Sequence, residues 1–299
     1  MANLYQYKDS NIRKTYFLFT VFLVFIIGLG WFFSYLLHEQ IILFIAVIFS
    51  IITSLVSYYY SDKLALSLSR AQPADKNDYL ELYRLIENLC ITAGLPMPKI
   101  YIVPEMQINA FATGRDANNA VIAVTQGALT KLNKTELEGV LAHELSHIGN
   151  RDILVSTIVV ILAGIISMVS DIFLRSVFWF GGGSDDRENN NGIFLLIGIV
   201  LSILAPLGAM LIQLAISRKR ESLADTSGVL LTRYPNGLIN ALEKIAADTT
   251  AMKFVNTSTA HLWISDPYKN SKKTPWYHKI FMTHPPIEER IAALKNLNI

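Results

Sequence analysis

Cysteine is nearly absent: the chain has one, Cys90. That excludes an internal disulfide and any C-x-x-C motif, and a lone thiol suits a reducing compartment. Cys90 falls in a helical stretch, residues 80–93, and reads as a buried apolar residue rather than a nucleophile. Charge is scarce as well. Charged residues make up 17% of the 299 and hydrophobic ones 52%, whereas about a quarter of an ordinary soluble domain is charged. A net charge of +2, with no basic run interleaved with aromatics, argues against a nucleic-acid partner. No internal repeat is detectable.

Long apolar runs fill the space that charge leaves. Four segments, approximately 15–37, 40–60, 153–174 and 193–216, are long enough to cross a bilayer as helices, which takes about 20 residues. The first is too long, and lacks the small-residue cleavage pattern, to be a removable signal peptide. Basic residues set the orientation. Lys8, Arg13, Lys14, Lys63, Arg70, Arg218, Lys219 and Arg220 flank one side, against Arg175 and Arg187 on the other. The positive side faces the cytosol, so both termini, residues 61–152 and residues 217–299 are expected there. The outer loop, 175–192, is rich in glycine and asparagine and reads as flexible and solvated.

Four parts follow: an N-terminal transmembrane hairpin (1–60), a cytosolic half (61–152), a second transmembrane hairpin (153–216) and a second cytosolic half (217–299). Within the first cytosolic half, residues 78–92 read as an amphipathic helix ending near Gly94. Residues 99–103 and 120–125 read as short strands, with turn residues between them at 109–114 and 116–119. The fold class expected is mainly α with a small β-sheet fused to four transmembrane helices. An edge of such a sheet can hold a peptide as an added strand, or the hairpin can be purely structural.

The most informative motif is His143-Glu144-Leu145-Ser146-His147. Leu137, Val140, Leu141 and Ala142 recur before it at helical spacing, which puts it on a helix. Histidines four apart share a helix face and can grip one ion. Glu144 lies about 100° round from His143, off the ion but within reach of a water there, the place for a general base.

A catalytic zinc needs a third protein ligand. The extended H-E-x-x-H-x-x-G-x-x-H pattern fails, because Asn150 and Ile153 stand where glycine and histidine are required. Asp152, five residues past His147 and about 500° round the helix, falls well off the shared face. Asp171, Asp185, Asp186 and Glu188 lie at or beyond the outer end of the third span. Just after the fourth span comes Glu221-Ser222-Leu223-Ala224-Asp225. Four apart on a helix, Glu221 can bind the ion while Asp225 accepts a ring N–H from a ligating histidine. A surface ion pair with Arg218 is the other reading of Glu221. Antiparallel third and fourth spans would bring both ligand sets to one membrane surface.

These two motifs, in this order among four spans, resemble the M48 peptidase family of membrane zinc metalloproteases, over nearly the whole chain. The resemblance implies an α+β zincin-like fold of the gluzincin type and one zinc per subunit. It also implies polypeptide substrates, among them damaged or misassembled membrane proteins cut at cytosolic segments. The setting implied is a bacterial cytoplasmic membrane. His284-Pro285-Pro286-Ile287-Glu288-Glu289-Arg290 resembles the family's H-P-x-x-x-x-R element. His284 and Arg290 would then stabilise the tetrahedral intermediate, although His284-Pro285-Pro286 can also be read as a cap on a final helix, 287–297. By the same resemblance Asn109 is a candidate for hydrogen-bonding substrate backbone. His261 and His278 fall in a stretch that reads as a solvated or interfacial loop, and His38 sits at the outer turn. Arg218, Lys219 and Arg220 are explained as a topology anchor.

Two rivals remain at this point. An intramembrane protease also uses H-E-x-x-H, but Lys131, Lys134, Glu136 and Glu138 make this motif helix too polar for lipid. A noncatalytic transporter or scaffold with an incidental metal site would be favoured by charge inside the spans, and these carry almost none.

Overall fold

The structure is a computed structural model, and it describes residues 4–37, 39–159, 162, 218–256, 259–269 and 285–297. Two long helices open the chain, α1 (Leu4–Leu37) and α2 (Ile41–Leu68), packed on each other as a hairpin. At 1.5 Å per residue they run about 50 and 40 Å, more than the ~30 Å of a bilayer's hydrocarbon core. Leu18, Phe22 and Ile26, four apart, are buried on α1, as are Ser50, Thr53 and Ser57 on α2. Small side chains there let the two backbones approach. The Ser50 hydroxyl donates to the Val47 carbonyl at 2.8 Å, so its proton is satisfied within the helix. Outward, α2 exposes Ile45, Ile48, Ile52 and Leu55. Among the described residues one stretch, Leu43–Tyr60, is long and apolar enough to cross a membrane, and α1 holds a shorter apolar run, Tyr16–Gly28. Most of the third expected span, 153–174, and all of the fourth, 193–216, lie outside the described residues.

A four-stranded mixed sheet follows, in the order β1-β2-β4-β3. β1 (Gln72–Pro73) pairs antiparallel with β2 (Lys99–Val103), which lies parallel to β4 (Val121–Thr125). The outer strand, β3 (Ala110–Thr113), runs antiparallel to β4. Two elements differ from the sequence reading. Residues 110–113 were expected as turn and form a strand; the flanking Asn109 and Gly114 carry the turn chemistry, with Gly114 at φ 135. Gln72-Pro73, in a stretch for which the sequence reading named no strand, adds a short edge strand.

Amphipathic α3 (Leu80–Ala93) buries Leu82, Leu85, Ile86 and Leu89, each contributing about 1.5–3 kcal/mol. It ends where Gly94 turns left-handed (φ 64) and the Leu95 amide donates back to the Cys90 carbonyl. After short α4 (Gln126–Lys131) comes α5 (Lys134–Gly149), begun by a capping box in which Asn133 and Glu136 satisfy each other's backbone amides. Unlike an ordinary surface helix, α5 is buried almost all round. It packs against α3, β3, α6 (Arg218–Thr232) and α7 (Pro235–Ala247), and α8 (Ile287–Lys295) closes over α6 and α7. Glycines allow the closest approaches. A Cβ on Gly139 would meet the Leu238 nitrogen at 2.6 Å, and one on Gly228 the His143 nitrogen at 2.9 Å.

Candidate metal centre

The polar residues of α5 are held inside this packing. His143 and Glu144 are buried, while the His147 side chain is 15% exposed and opens to a small cavity. Ala112, Glu144, Asp152, Ser156, His261 and Leu262 line that cavity beside both histidines and Glu221. Its volume is about 30 Å³, room for roughly two waters.

His143, His147 and Glu221 converge, each offering a ligand atom, with all three atoms within 4.8 Å of one another. The two Nε2 atoms are 3.2 Å apart. Glu221 Oε2 is 3.7 Å from His143 Nε2, and Oε1 is 3.6 Å from His147 Nε2. Around a tetrahedral zinc with ~2.0–2.2 Å bonds, ligand atoms stand about 3.4 Å apart, so the spacing suits such an ion.

What lies behind the rings strengthens the case. Asp225 Oδ1 is 2.9 Å from His143 Nδ1, and Asp152 Oδ2 is 3.0 Å from His147 Nδ1. Each carboxylate draws the ring proton to Nδ1 and leaves a lone pair on Nε2. Two lone pairs and a carboxylate then face one point inside the protein, an arrangement that repels itself unless a cation joins it. The donor set, two nitrogens and one carboxylate oxygen, is one that zinc accepts.

Electrostatics agrees. Burial works against a charge on His147, but the hydrogen bond to Asp152 and the charges of Glu221, Asp152 and Glu144 push its pKa up to about 9. The negative charge gathered around the ring thus favours positive charge where an ion would supply it. Burial also opposes ionisation of Asp225, yet the Arg290 guanidinium and the His143 hydrogen bond hold it far below the usual carboxylate range. Arg290 is raised still further by Asp225, against the penalty of its own burial. Burial lowers Arg220, with Asp152 and Glu221 opposing.

A scan of protein families matches residues 76–298 to peptidase family M48. The chain belongs to peptidase family M48. Relatives are similar along their whole length. The chain is 44% identical to a Protease HtpX homolog of Caldanaerobacter subterraneus subsp. tengcongensis, covering 99% of this chain and 98% of that one. It is 42% identical to a Protease HtpX homolog of Tropheryma whipplei, covering 98% of each. Among solved structures, the crystal structure of S. mikatae Ste24p aligns with a TM-score of 0.51 at 18% identity, over 97% of this chain and 66% of that one. That likeness concerns the fold. As an M48 member the chain is a metalloprotease, and the resemblance read from its motifs was to its own family. The match begins at Lys76 and so takes in β2 to β4 and α3 to α8, while the α1–α2 hairpin and β1 lie before it.

Several residues of this M48 chain sit differently from the sequence reading. Asp152 was set aside as off the histidine face; in the structure it touches His147. The helix-wheel argument assumed an unbroken helix, but α5 ends at Gly149, Arg151 turns left-handed (φ 58), and a new helical stretch, 152–159, begins at Asp152. Arg290, expected to face the reacting carbonyl, instead clamps Asp225: Nε donates to Oδ2 at 2.9 Å and Nη2 to Oδ1 at 2.6 Å. The Asn109 side chain, expected to bind substrate, is buried and spent on the protein. Its amide nitrogen donates to Gln107 Oε1 and the Ser265 carbonyl, and its oxygen accepts from the Ser265 nitrogen. Arg220 is buried near Asp152 rather than standing at the surface as an anchor. His261, read as a loop residue, is buried in the cavity wall, 3.1 Å from the Ser156 carbonyl. No sequence periodicity surrounds His261, so nothing local signalled its burial. His284 and His278 lie outside the described residues, as does His38.

Proposed function

We propose that this chain is an integral membrane zinc endopeptidase that cuts cytosol-exposed segments of misfolded or damaged membrane proteins. His143, His147 and Glu221 would hold one zinc. When bound, the ion would supply Lewis-acid polarisation of the scissile carbonyl and of the attacking water. Glu144, buried and lining the same cavity as the two histidines, would take a proton from the attacking water and deliver it to the departing amine. No covalent link to the enzyme is needed. Asp225, gripped by Arg290, keeps His143 in the tautomer that presents Nε2 to the ion.

The observation that carries this reading is the convergence of two Nε2 lone pairs and the Glu221 carboxylate, with a carboxylate behind each ring. The four-span topology with cytosolic termini rests on the distribution of basic residues and on the apolar hairpin. Substrates among membrane proteins follow from a site placed within a few residues of the third and fourth expected spans. The test is metal content by elemental analysis and casein cleavage for the detergent-purified full chain. Wild type should carry about one zinc and be silenced by chelator, and Glu221→Ala should lose both metal and cleavage. Cleavage by metal-free wild type would overturn the proposal.

A further inference from the structure

We propose that Asp152 is a positioning residue for His147, and that Arg220 anchors it from α6. The proposal rests on the metal-site reading above and assigns a role within that site. Asp152 is 4% exposed and stands at the start of the helical stretch 152–159. One carboxylate oxygen, Oδ2, meets His147 Nδ1 at 3.0 Å, while the other, Oδ1, faces Arg220 Nη1 at 3.8 Å. Arg220 is itself 5% exposed and immediately precedes the ligand Glu221.

The arrangement parallels the one behind His143, with a looser arginine contact, 3.8 Å against 2.6 Å. There an arginine, Arg290, holds an aspartate, Asp225, which holds a ring nitrogen. Each histidine therefore has an Arg–Asp pair behind it, and the two pairs come from different parts of the chain. His147 needs the support more. Its side chain is 15% exposed against 1% for His143, so packing alone confines its ring less. A carboxylate on Nδ1 both selects the tautomer and fixes the ring plane. Buried opposite charge also explains why Arg220 tolerates burial: Asp152 and Glu221 both compensate it.

Topology gives the pair a second consequence. Asp152 opens the helical stretch that leads toward the expected third span, and Arg220 lies in the first turn of α6, just after the expected fourth. Their contact therefore joins the helical stretch 152–159 to α6 beside the candidate ligand Glu221.

The experiment uses the detergent-purified full chain in a Glu144→Gln background, which prevents self-cleavage, and titrates zinc and cobalt(II) against a chromogenic chelator. Asp152→Ala should weaken metal binding roughly 10–100-fold. Asp152→Asn, which keeps an acceptor oxygen and the volume, should recover most of that loss, and the cobalt absorption bands should shift in Asp152→Ala but not in Asp152→Asn. The unfolding temperature of the metal-free Asp152→Asn protein reports whether the fold is intact. In active protein, Asp152→Asn should lower kcat while leaving KM near wild type. Wild-type metal affinity and cobalt bands in Asp152→Ala would overturn the positioning role while leaving the metallopeptidase reading in place. An equal loss in Asp152→Asn and Asp152→Ala, with the metal-free fold intact, would overturn the hydrogen-bond basis of the role. Absence of metal binding by the Glu144→Gln parent would overturn both.

Discussion

Gly228 on α6 is in backbone contact with His143 on α5: a Cβ placed on it would stand 2.9 Å from the His143 nitrogen and 3.1 Å from its Cα. That approach is what lets Glu221, two turns earlier on α6, reach the ion site from a second helix. Alanine favours a helix over glycine by about 1 kcal/mol, so on propensity alone Gly228→Ala would stabilise. Here the added methyl meets backbone, which cannot swing aside, and overpacking costs about 1–3 kcal/mol. The expected result is net destabilisation together with weaker metal binding, read by thermal unfolding with and without zinc. A variant that melts higher and binds zinc as tightly as wild type would show that the contact does not set the helix spacing.

Glu144→Gln should separate binding from chemistry. Glu144 is not one of the three converging ligand residues, but it lines the same cavity. A glutamine there keeps the size and loses the ability to take a proton, and losing a positioned base lowers the rate roughly 10²–10⁴-fold. Zinc content should stay at the wild-type level while casein cleavage falls by that factor. Undiminished cleavage would remove Glu144 from the mechanism.

Acid sensitivity should trace in part to Asp248. Its carboxylate accepts from the Ile108 nitrogen at 2.7 Å, from Lys131 Nζ at 2.9 Å and from the Thr250 hydroxyl at 2.7 Å. Burial opposes its ionisation, but these hydrogen bonds lower its pKa to about 2. A lowered carboxylate stabilises the folded state above the unfolded pKa and loses that stabilisation as pH falls through the folded one. The window is therefore about pH 4 to 2, and the contribution is of the order of 2 kcal/mol. Urea unfolding at pH 6 and pH 3 should show a smaller pH-dependent loss in Asp248→Asn than in wild type. Equal losses would place the acid sensitivity elsewhere.

Much of the site could be read from the chain because its ligands obey helical arithmetic. His143 and His147, and Glu221 and Asp225, are each four apart, and the structure faces each pair to one side. What escaped the reading depends on where helices stop or on long-range contact. Asp152 was hidden by a left-handed residue, Arg151, that no propensity marks. Arg220 sits in a run of three basic residues whose obvious reading is a membrane flank, and only the packing of α6 turns it inward. Strand β3 was masked by its small residues, Ala110 and Ala112, between turn formers; it is held by pairing with Val121–Thr125 and by Trp263, whose ring packs edge-on against Phe111 at 4.7 Å. The apolar stretch Leu43–Tyr60 was legible from length and charge, since a bilayer's thickness translates directly into residues.

Arg290 is where sequence resemblance and geometry ask for different experiments. A residue that only stabilises the developing oxyanion would, on removal, lower kcat and leave metal affinity and the metal-free fold alone. The observed clamp predicts otherwise. Both partners are buried, Arg290 at 4% and Asp225 at 4% exposure, so Arg290→Ala leaves a buried carboxylate with only the His143 ring to compensate it, a loss of up to about 3–5 kcal/mol. Asp225 would also lose the two bonds that aim it at His143, and metal affinity should fall with stability. Arg290→Lys keeps the charge but cannot make the two-pronged contact, so it should recover part of the stability and little of the metal affinity. Removing both partners should cost less than the two single losses added together, because neither charge is then stranded. Thermal unfolding of the metal-free single and double variants, with zinc titrations beside it, decides between the roles: wild-type stability and affinity in Arg290→Ala, with cleavage lost, would return Arg290 to the reacting carbonyl.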